Sequence, residues 1–296
     1  MSKMSCFALA VVLFVFMSID QPKRGLAKDQ DPDVEKVVTG HINSIGDPAA
    51  LAGIKSRAFL GTSSVEFVQG MRGNMNGQSM LVSEGQKLAI VMKYGDINYP
   101  GEYFAYDGKD VTVGYMSPGQ RSPLADFLFR NNGLMKEGLL GGVLSGTWPL
   151  LNLQQSQAAL KHRETTIEGR KLHEIEYTPK SRLGDVKIKM YFEPETFHHV
   201  RTEYRVRHKD DMSAGHGADP AGGRFILREG VADSIYVLVE TFDDFKKAGE
   251  MTLPHTYTID YSFEGQGPSF VGKWVLKANQ WSFTNTYDER IFKAQK

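Results

Sequence analysis

Chemistry in a protein needs a nucleophile, an acid–base pair or a set of metal ligands held close together, and several stretches of this sequence invite the test. Gly142-Val143-Leu144-Ser145-Gly146 sets a serine among glycines, but one place late for the G-x-S-x-G turn that lifts a nucleophile above a sheet, and no H-E-x-x-H pair occurs. His198 and His199 are adjacent on a strand pattern, so their side chains leave on opposite faces and cannot chelate one ion. They read as ordinary hairpin residues. His208, Asp210, Asp211, His216 and Asp219 combine imidazole and carboxylate, a donor set suited to zinc or another divalent ion, yet the glycines and alanines among them favour a mobile hairpin loop. Glu174 and Glu176 share one strand face, where two carboxylates can act as acid and base, but a charged outer face accounts for them without chemistry. The chain therefore reads as non-catalytic, with no metal site and no cofactor.

A scaffold must position whatever these residues do. Lys3 precedes an unbroken apolar run from Phe7 to Met17, and Gly25-Leu26-Ala27 offers small residues at the −3 and −1 positions of a signal-peptidase site. The run falls short of the roughly 20 residues that span a bilayer, so residues 1–27 read as a cleavable signal peptide and Lys28 as the first residue of an exported, periplasmic chain. Cys6, the only cysteine, precedes the run; it is not placed as the lipid-bearing cysteine of a lipoprotein, and it leaves the mature chain without thiol or disulfide. Residues 28–296 suffice for one domain held by its core alone. Lys plus Arg equals Asp plus Glu, 35 each, which points away from nucleic acid as a partner.

Asp31 is placed to cap a helix with Pro32 at its first position, and Val34, Val37, Val38, Ile42 and Ile45 recur at helical spacing until Gly46. His41 lies near that stripe and reads as a boundary residue. From Ile54 onward the period becomes two. Val186, Ile188, Met190 and Phe192 alternate with Lys187, Lys189, Tyr191 and Glu193; after a Pro194-Glu195-Thr196 turn, Val200, Thr202, Tyr204 and Val206 alternate with charged residues. This predicts a hairpin with one dry face. Tyr257, Ile259, Tyr261 and Phe263 repeat the pattern, and further runs lie at 64–69, 76–83, 86–94, 102–106, 109–116, 170–178, 224–228, 235–242, 270–278 and 280–287. Turn signals include Asn76-Gly77, Asp107-Gly108 and Glu168-Gly169.

Besides the leading helix, only Pro123 to Asn131 and roughly Leu153 to His162 look helical. A mainly β chain with a large antiparallel sheet and so little helix to cover it must curl towards an incomplete barrel. Its interior is either a cavity or a packed core. The apolar strand faces then assign Ile188, Met190, Phe192, Val200, Tyr204, Tyr257, Ile259 and Tyr261 to the inside, where an apolar ligand would touch some of them.

The uncharged segment Gly138 to Leu153, "GLLGGVLSGTWPLLNL", interrupts the strands. Gly138, Gly141, Gly142, Gly146 and Pro149 oppose a stable helix, each glycine costing about 1 kcal/mol against alanine. Burying Trp148 alone is worth on the order of 4 kcal/mol, before Leu139, Leu140, Leu150 and Leu151 are added. These opposing terms predict a movable lid that docks Leu139, Leu140, Trp148 and Leu150 over the mouth of the half-barrel. A fixed core helix and a membrane-touching loop are the alternatives.

The order of elements, with "YFAYDGKDVTVGY" before the interruption and "TLPHTYTIDYS" near the end, resembles the LolA-like family of periplasmic lipoprotein and lipid carriers. Asp107-Gly108-Lys109 matches its "dG-k" hairpin and Leu253-Pro254 its "l-P" strand start. The resemblance implies an incomplete antiparallel barrel around a hydrophobic cavity, a lid built from the central interruption, and a role in envelope lipid or lipoprotein transport between a membrane-protein donor and acceptor. Carriers of outer-membrane lipoproteins have an arginine-bearing "rPgrfRw" strand whose last arginine holds the lid closed; here the stretch reads "QKLAIVMKYGDINYPGEYFAY", without arginine. A lipid or other apolar ligand is thus a better fit than lipoprotein. The same fold also implies two alternatives, an envelope assembly or signalling adaptor and, less strongly, an enzyme.

Overall fold

The computed structural model describes residues 32–71, 73–181, 183–208, 234–264, 269–283 and 286–294. The expected signal peptide, the start at Lys28, the run at 224–228 and the cluster Asp210, Asp211, His216 and Asp219 lie outside these residues.

The leading helix α1 (Pro32–Ile45) forms where its stripe predicts it and buries Val34, Val37, Val38 and Ile45. A short helix, α2 (Pro48–Gly53), follows; the Asp47 carboxylate caps it by accepting the Ala49 and Ala50 N–H groups at 2.7 and 3.4 Å. Five strands come next: β1 (Ser56–Gln69), β2 (Gly73–Glu84), β3 (Lys87–Tyr94), β4 (Gly101–Tyr106) and β5 (Val111–Val113). The interruption holds α3 (Pro123–Arg130), α4 (Gly133–Lys136), two 3-10 turns at Gly142–Leu144 and Pro149–Asn152, and α5 (Leu153–Ser156). Seven more strands complete the sheet: β6 (Ala159–Ile167), β7 (Arg170–Thr178), β8 (Val186–Phe192), β9 (His199–His208), β10 (Ser234–Ala248), β11 (Met251–Glu264) and β12 (Phe270–Ser282).

All twelve strands form one antiparallel sheet in the order β5-β4-β3-β2-β1-β12-β11-β10-β9-β8-β7-β6. It is not closed: β5 and β6, the strands on either side of the interruption, are its two edges, and β1 with β12 joins the halves. Every strand contributes side chains to one apolar cluster, from Phe59 and Leu81 round to Leu160 and Ile175, and residues of α1, α3 and the interruption belong to it as well. A sheet whose one face converges in this way is curled, since accumulated twist and an uncovered apolar face leave no flat solution. The architecture is the one expected from the sequence: a leading helix, a large antiparallel sheet that curls without closing into a barrel, and a central interruption lying on its concave face. On the convex side, Phe292 of the last 3-10 turn (Glu289–Phe292) packs on Ala58, Val82, Ala89 and Ala105.

Three local expectations are corrected. The helix expected from Leu153 to His162 stops at Ser156; Gln157 takes a positive φ of 48°, and the chain then pairs as β6 from Ala159↔Thr178 to Ile167↔Arg170 around the Glu168-Gly169 turn. A free partner strand and the β-branched Thr165, Thr166 and Ile167 outweigh local helix propensity. Asn76-Gly77 is no turn. It lies inside β2, where a Cβ on Gly77 would meet the Lys93 carbonyl at 1.9 Å, so the glycine permits close strand approach. The separate strand expected at 280–287 is the end of β12, which runs to Ser282.

Candidate functional site

The concave face is occupied by the interruption itself. Leu139, Leu140, Leu144, Trp148 and Leu150 are fully buried in the cluster formed by the strands. The path is irregular because its glycines make it so. Gly138, Gly141 and Gly142 all have positive φ, at 69°, 82° and 50°. A Cβ on Gly142 would also lie 2.7 Å from the Phe242 ring and 2.9 Å from His199 Nδ1, so this turn accepts glycine alone without displacement.

Buried polar groups on the surrounding elements satisfy the backbone of this segment. Tyr204 Oη donates to the Leu139 carbonyl at 2.8 Å, and the Gly141 N–H donates to Glu240 Oε1 at 2.7 Å. Arg57 Nη1 donates to the Val143 carbonyl at 2.7 Å, and the Gly146 N–H donates to Ser83 Oγ at 2.8 Å. Arg57 and Ser83 are register partners on β1 and β2, which aims both side chains at one stretch of the segment. The fifth tie is the Trp148 indole N–H, which donates to His41 Nε2 at 3.1 Å. His41 Nδ1 lies 3.2 Å from the Phe197 carbonyl, so the ring serves both partners as the neutral tautomer protonated at Nδ1. Burial favours that neutral form, taking the His41 pKa down to about 4.

Glu240 is fully buried and is raised to about 7 by loss of solvent, against the stabilising hydrogen bonds from Tyr204, Tyr257 and the Gly141 N–H. Tyr204 Oη faces both Glu240 Oε2, at 2.6 Å, and the Leu139 carbonyl, while a hydroxyl has one proton to give. A protonated Glu240 resolves the conflict: its O–H donates to Tyr204, whose own proton goes to Leu139. Tyr257 Oη donates to the other carboxyl oxygen. A second buried chain, Trp274 Nε1–H to Tyr99 Oη at 2.7 Å and Tyr99 Oη–H to Glu102 Oε1 at 2.6 Å, lies in the same core, and burial raises Glu102 to about 7 as well.

Of the residues assigned to the interior from sequence, Ile188, Met190, Phe192, Tyr204, Tyr257, Ile259 and Tyr261 join Leu139, Leu140, Trp148 and Leu150 in the one cluster. Val200 does not. The β8–β9 register slips between Tyr191↔Arg201 and Phe192↔His199, leaving Val200 as an extra residue that packs with Leu172 and Tyr191 on the opposite face. The bulge sends His199 inside instead. Its ring stacks on Trp148 at 4.7 Å between centroids, its Nε2 lies 2.7 Å from Thr202 Oγ1, and burial holds its pKa well below the ordinary value. His198 leaves on the other side and stacks on Phe245, so the expectation of opposite faces holds while that of two ordinary hairpin residues does not. His41, read as a boundary residue, is a buried anchor. Glu174 is on the outer face, as expected, paired with Arg163 and Lys189 at 2.7 and 3.4 Å. Among the described residues no group of three His, Cys, Asp or Glu side chains is placed to hold a metal ion.

A cleft of about 600 Å³ opens at the edge of the docked segment, between the end of α1, α2 and the ends of β1 and β2. Ile42, Leu51, Ile54, Leu151 and Met251 give it apolar walls, Gly146 brings the docked segment to its margin, and Lys55, Arg57 and Glu84 supply charge. The sequence signal that could have found Arg57 is a lone cation at a concave-face position of β1, two residues before Phe59.

No family model matches the sequence, and no curated protein matches it. Among solved structures, the chain is similar to a LolA superfamily protein from Nitrosomonas europaea, with 14% identity over 88% of this chain and 96% of that one, at a TM-score of 0.43. It is also similar to MucB in complex with MucA(peri), with 10% identity over 83% of this chain and 94% of that one, at a TM-score of 0.21.

Proposed function

We propose that the chain is a non-catalytic, exported binder of a lipid or other apolar ligand, acting in envelope transport, and that residues 138–152 are its movable cover. The observation that carries the reading is the make-up of the plug on the concave face. It is apolar enough to substitute for a ligand, it turns on glycines, and five side-chain hydrogen bonds tie it to α1, β1, β2, β9 and β10. Ligand uptake exchanges one buried apolar surface for another, so the net cost of opening is small beside the area involved. Arg57 supplies from β1 the cationic tie to the cover that the stretch at 86–106 lacks.

The test is ligand-dependent movement of the cover. In protein carrying Trp274→Phe and Trp281→Phe, saturation with N-phenyl-1-naphthylamine is expected to red-shift Trp148 emission and to accelerate amide exchange across 138–152. If the dye binds stoichiometrically and neither signal responds, the segment is fixed core and the reading is wrong. Mass spectrometry of lipids carried by the exported protein identifies the natural ligand.

A further inference from the structure

Arg57 poses a problem that the cover alone does not solve. The residue is 6% exposed, and loss of solvent pulls the guanidinium down to about 10 with no carboxylate offsetting it. A buried cation is ordinarily held by an anion, because a carbonyl such as that of Val143 satisfies a donor without neutralising charge. The charge also lies on the wall of an open cleft that has an apolar side, formed by Ile42, Leu51, Ile54 and Leu151, and a polar one. Lys55 stands exposed on the same rim, and the one acid there, Glu84, accepts the Tyr287 N–H at 2.9 Å. The cleft thus combines a net positive end with a greasy trough formed by Ile42, Leu51, Ile54 and Leu151.

We propose that this cleft binds a single-chain amphiphile with an anionic headgroup, the head on Arg57 and Lys55 and the alkyl chain along α2. The proposal rests on the reading of the protein as a binder of apolar ligands and gives that ligand its charge, size and place. A volume of about 600 Å³ suits one chain and is too small for a two-chain lipid. The planar guanidinium accepts a carboxylate or phosphate through paired N–H groups, and an anion drawn to it competes with the Val143 carbonyl. Binding at the head therefore loosens one tie of the cover, which connects this edge cleft to the concave face.

Calorimetric titration of the whole exported protein with laurate, dodecyl phosphate, dodecanol and dodecyltrimethylammonium, all below micelle formation, tests this. One or both anions are expected to bind at least ~10-fold tighter than the neutral and cationic forms, and comparing the two anions separates carboxylate from phosphate as the head. Arg57→Gln should erase that preference. Because Arg57 is buried and the variant can fail to fold, Lys55→Glu on the exposed rim provides an independent test and should reduce the preference in folded protein. Equal affinity for all four heads, or a preference that survives both substitutions, overturns the proposal. N-phenyl-1-naphthylamine separates the two readings: dye binding without headgroup preference removes this inference alone, whereas failure of the dye and of every amphiphile removes both.

Discussion

Glu240→Gln should make the protein more stable, by an amount that grows as pH rises above about 4.5 and levels off above about 7. Glu240 has its ordinary carboxyl value of 4.5 raised to about 7 by burial, so the folded state holds a proton that the unfolded state releases across that interval. The sign follows directly: with the folded state binding more protons, stability conferred by the protonated group is complete below about 4.5 and is lost as pH rises through about 7. A shift of this size corresponds to roughly 3 kcal/mol, at 1.36 kcal/mol per unit. Glutamine keeps the parts that matter and does not ionise. Its carbonyl accepts the Gly141 N–H and the Tyr257 hydroxyl, and its amide donates to Tyr204, leaving the Tyr204 proton for Leu139. Urea unfolding of both proteins between pH 4.5 and 9 is the assay. The variant's advantage should climb by roughly 3 kcal/mol between pH 4.5 and 8 and then level off; the contributions of Glu102, His41 and His199, present in both proteins, cancel in the difference. A difference that does not change with pH would show that Glu240 titrates normally and that burial of its charge costs nothing.

Other substitutions test the packing. Gly142→Ala forces a side chain into a positive-φ turn and against Phe242 and His199, which should cost about 1–3 kcal/mol in denaturant unfolding and loosen amide protection across 138–152. Ile188→Asp puts a carboxylate into the core cluster and should prevent folding, whereas Lys187→Asp on the exposed face should change stability by no more than about 0.5 kcal/mol; equal damage would mean the strand register is wrong.

The sheet was legible in the sequence because its signal is long-range and repetitive. Alternation through Val186 to Phe192 and Thr256 to Phe263 survives any local irregularity, and the Asp107-Gly108 and Glu168-Gly169 turns form where their backbone preferences put them. What escaped depends on single residues out of phase. Val200 reads as inward by strict alternation, and a one-residue bulge reverses it and exchanges it for His199. The start of β6, residues 159–162, reads as the end of a helix because its strand character comes from β7, which lies downstream. His41, Arg57 and Glu240 escaped for another reason: an ionisable residue in an amphipathic pattern normally marks the wet side, and these three sit on the dry side because the segment they hold needs donors and acceptors there. A polar residue breaking an apolar stripe is in such cases the mark of a partner arriving from elsewhere in the chain.

The open seam has a mechanical consequence. Eleven ladders hold the twelve strands side by side, and the gap between β5 and β6 is the one place in the described sheet where neighbouring rims share no backbone pairing. The β1–β12 pairing lies near the middle of the strand order, like the spine of a half-open book, with β2–β5 as one leaf and β6–β11 as the other. Spreading the leaves widens the interior by small changes of twist distributed over many strands, and it ruptures no ladder. The interruption spans from one free rim to the other, fastened to both by covalent chain, so it acts as a strap of fixed length across the gap. Its contour length, rather than the strength of the sheet, sets how far the leaves can part.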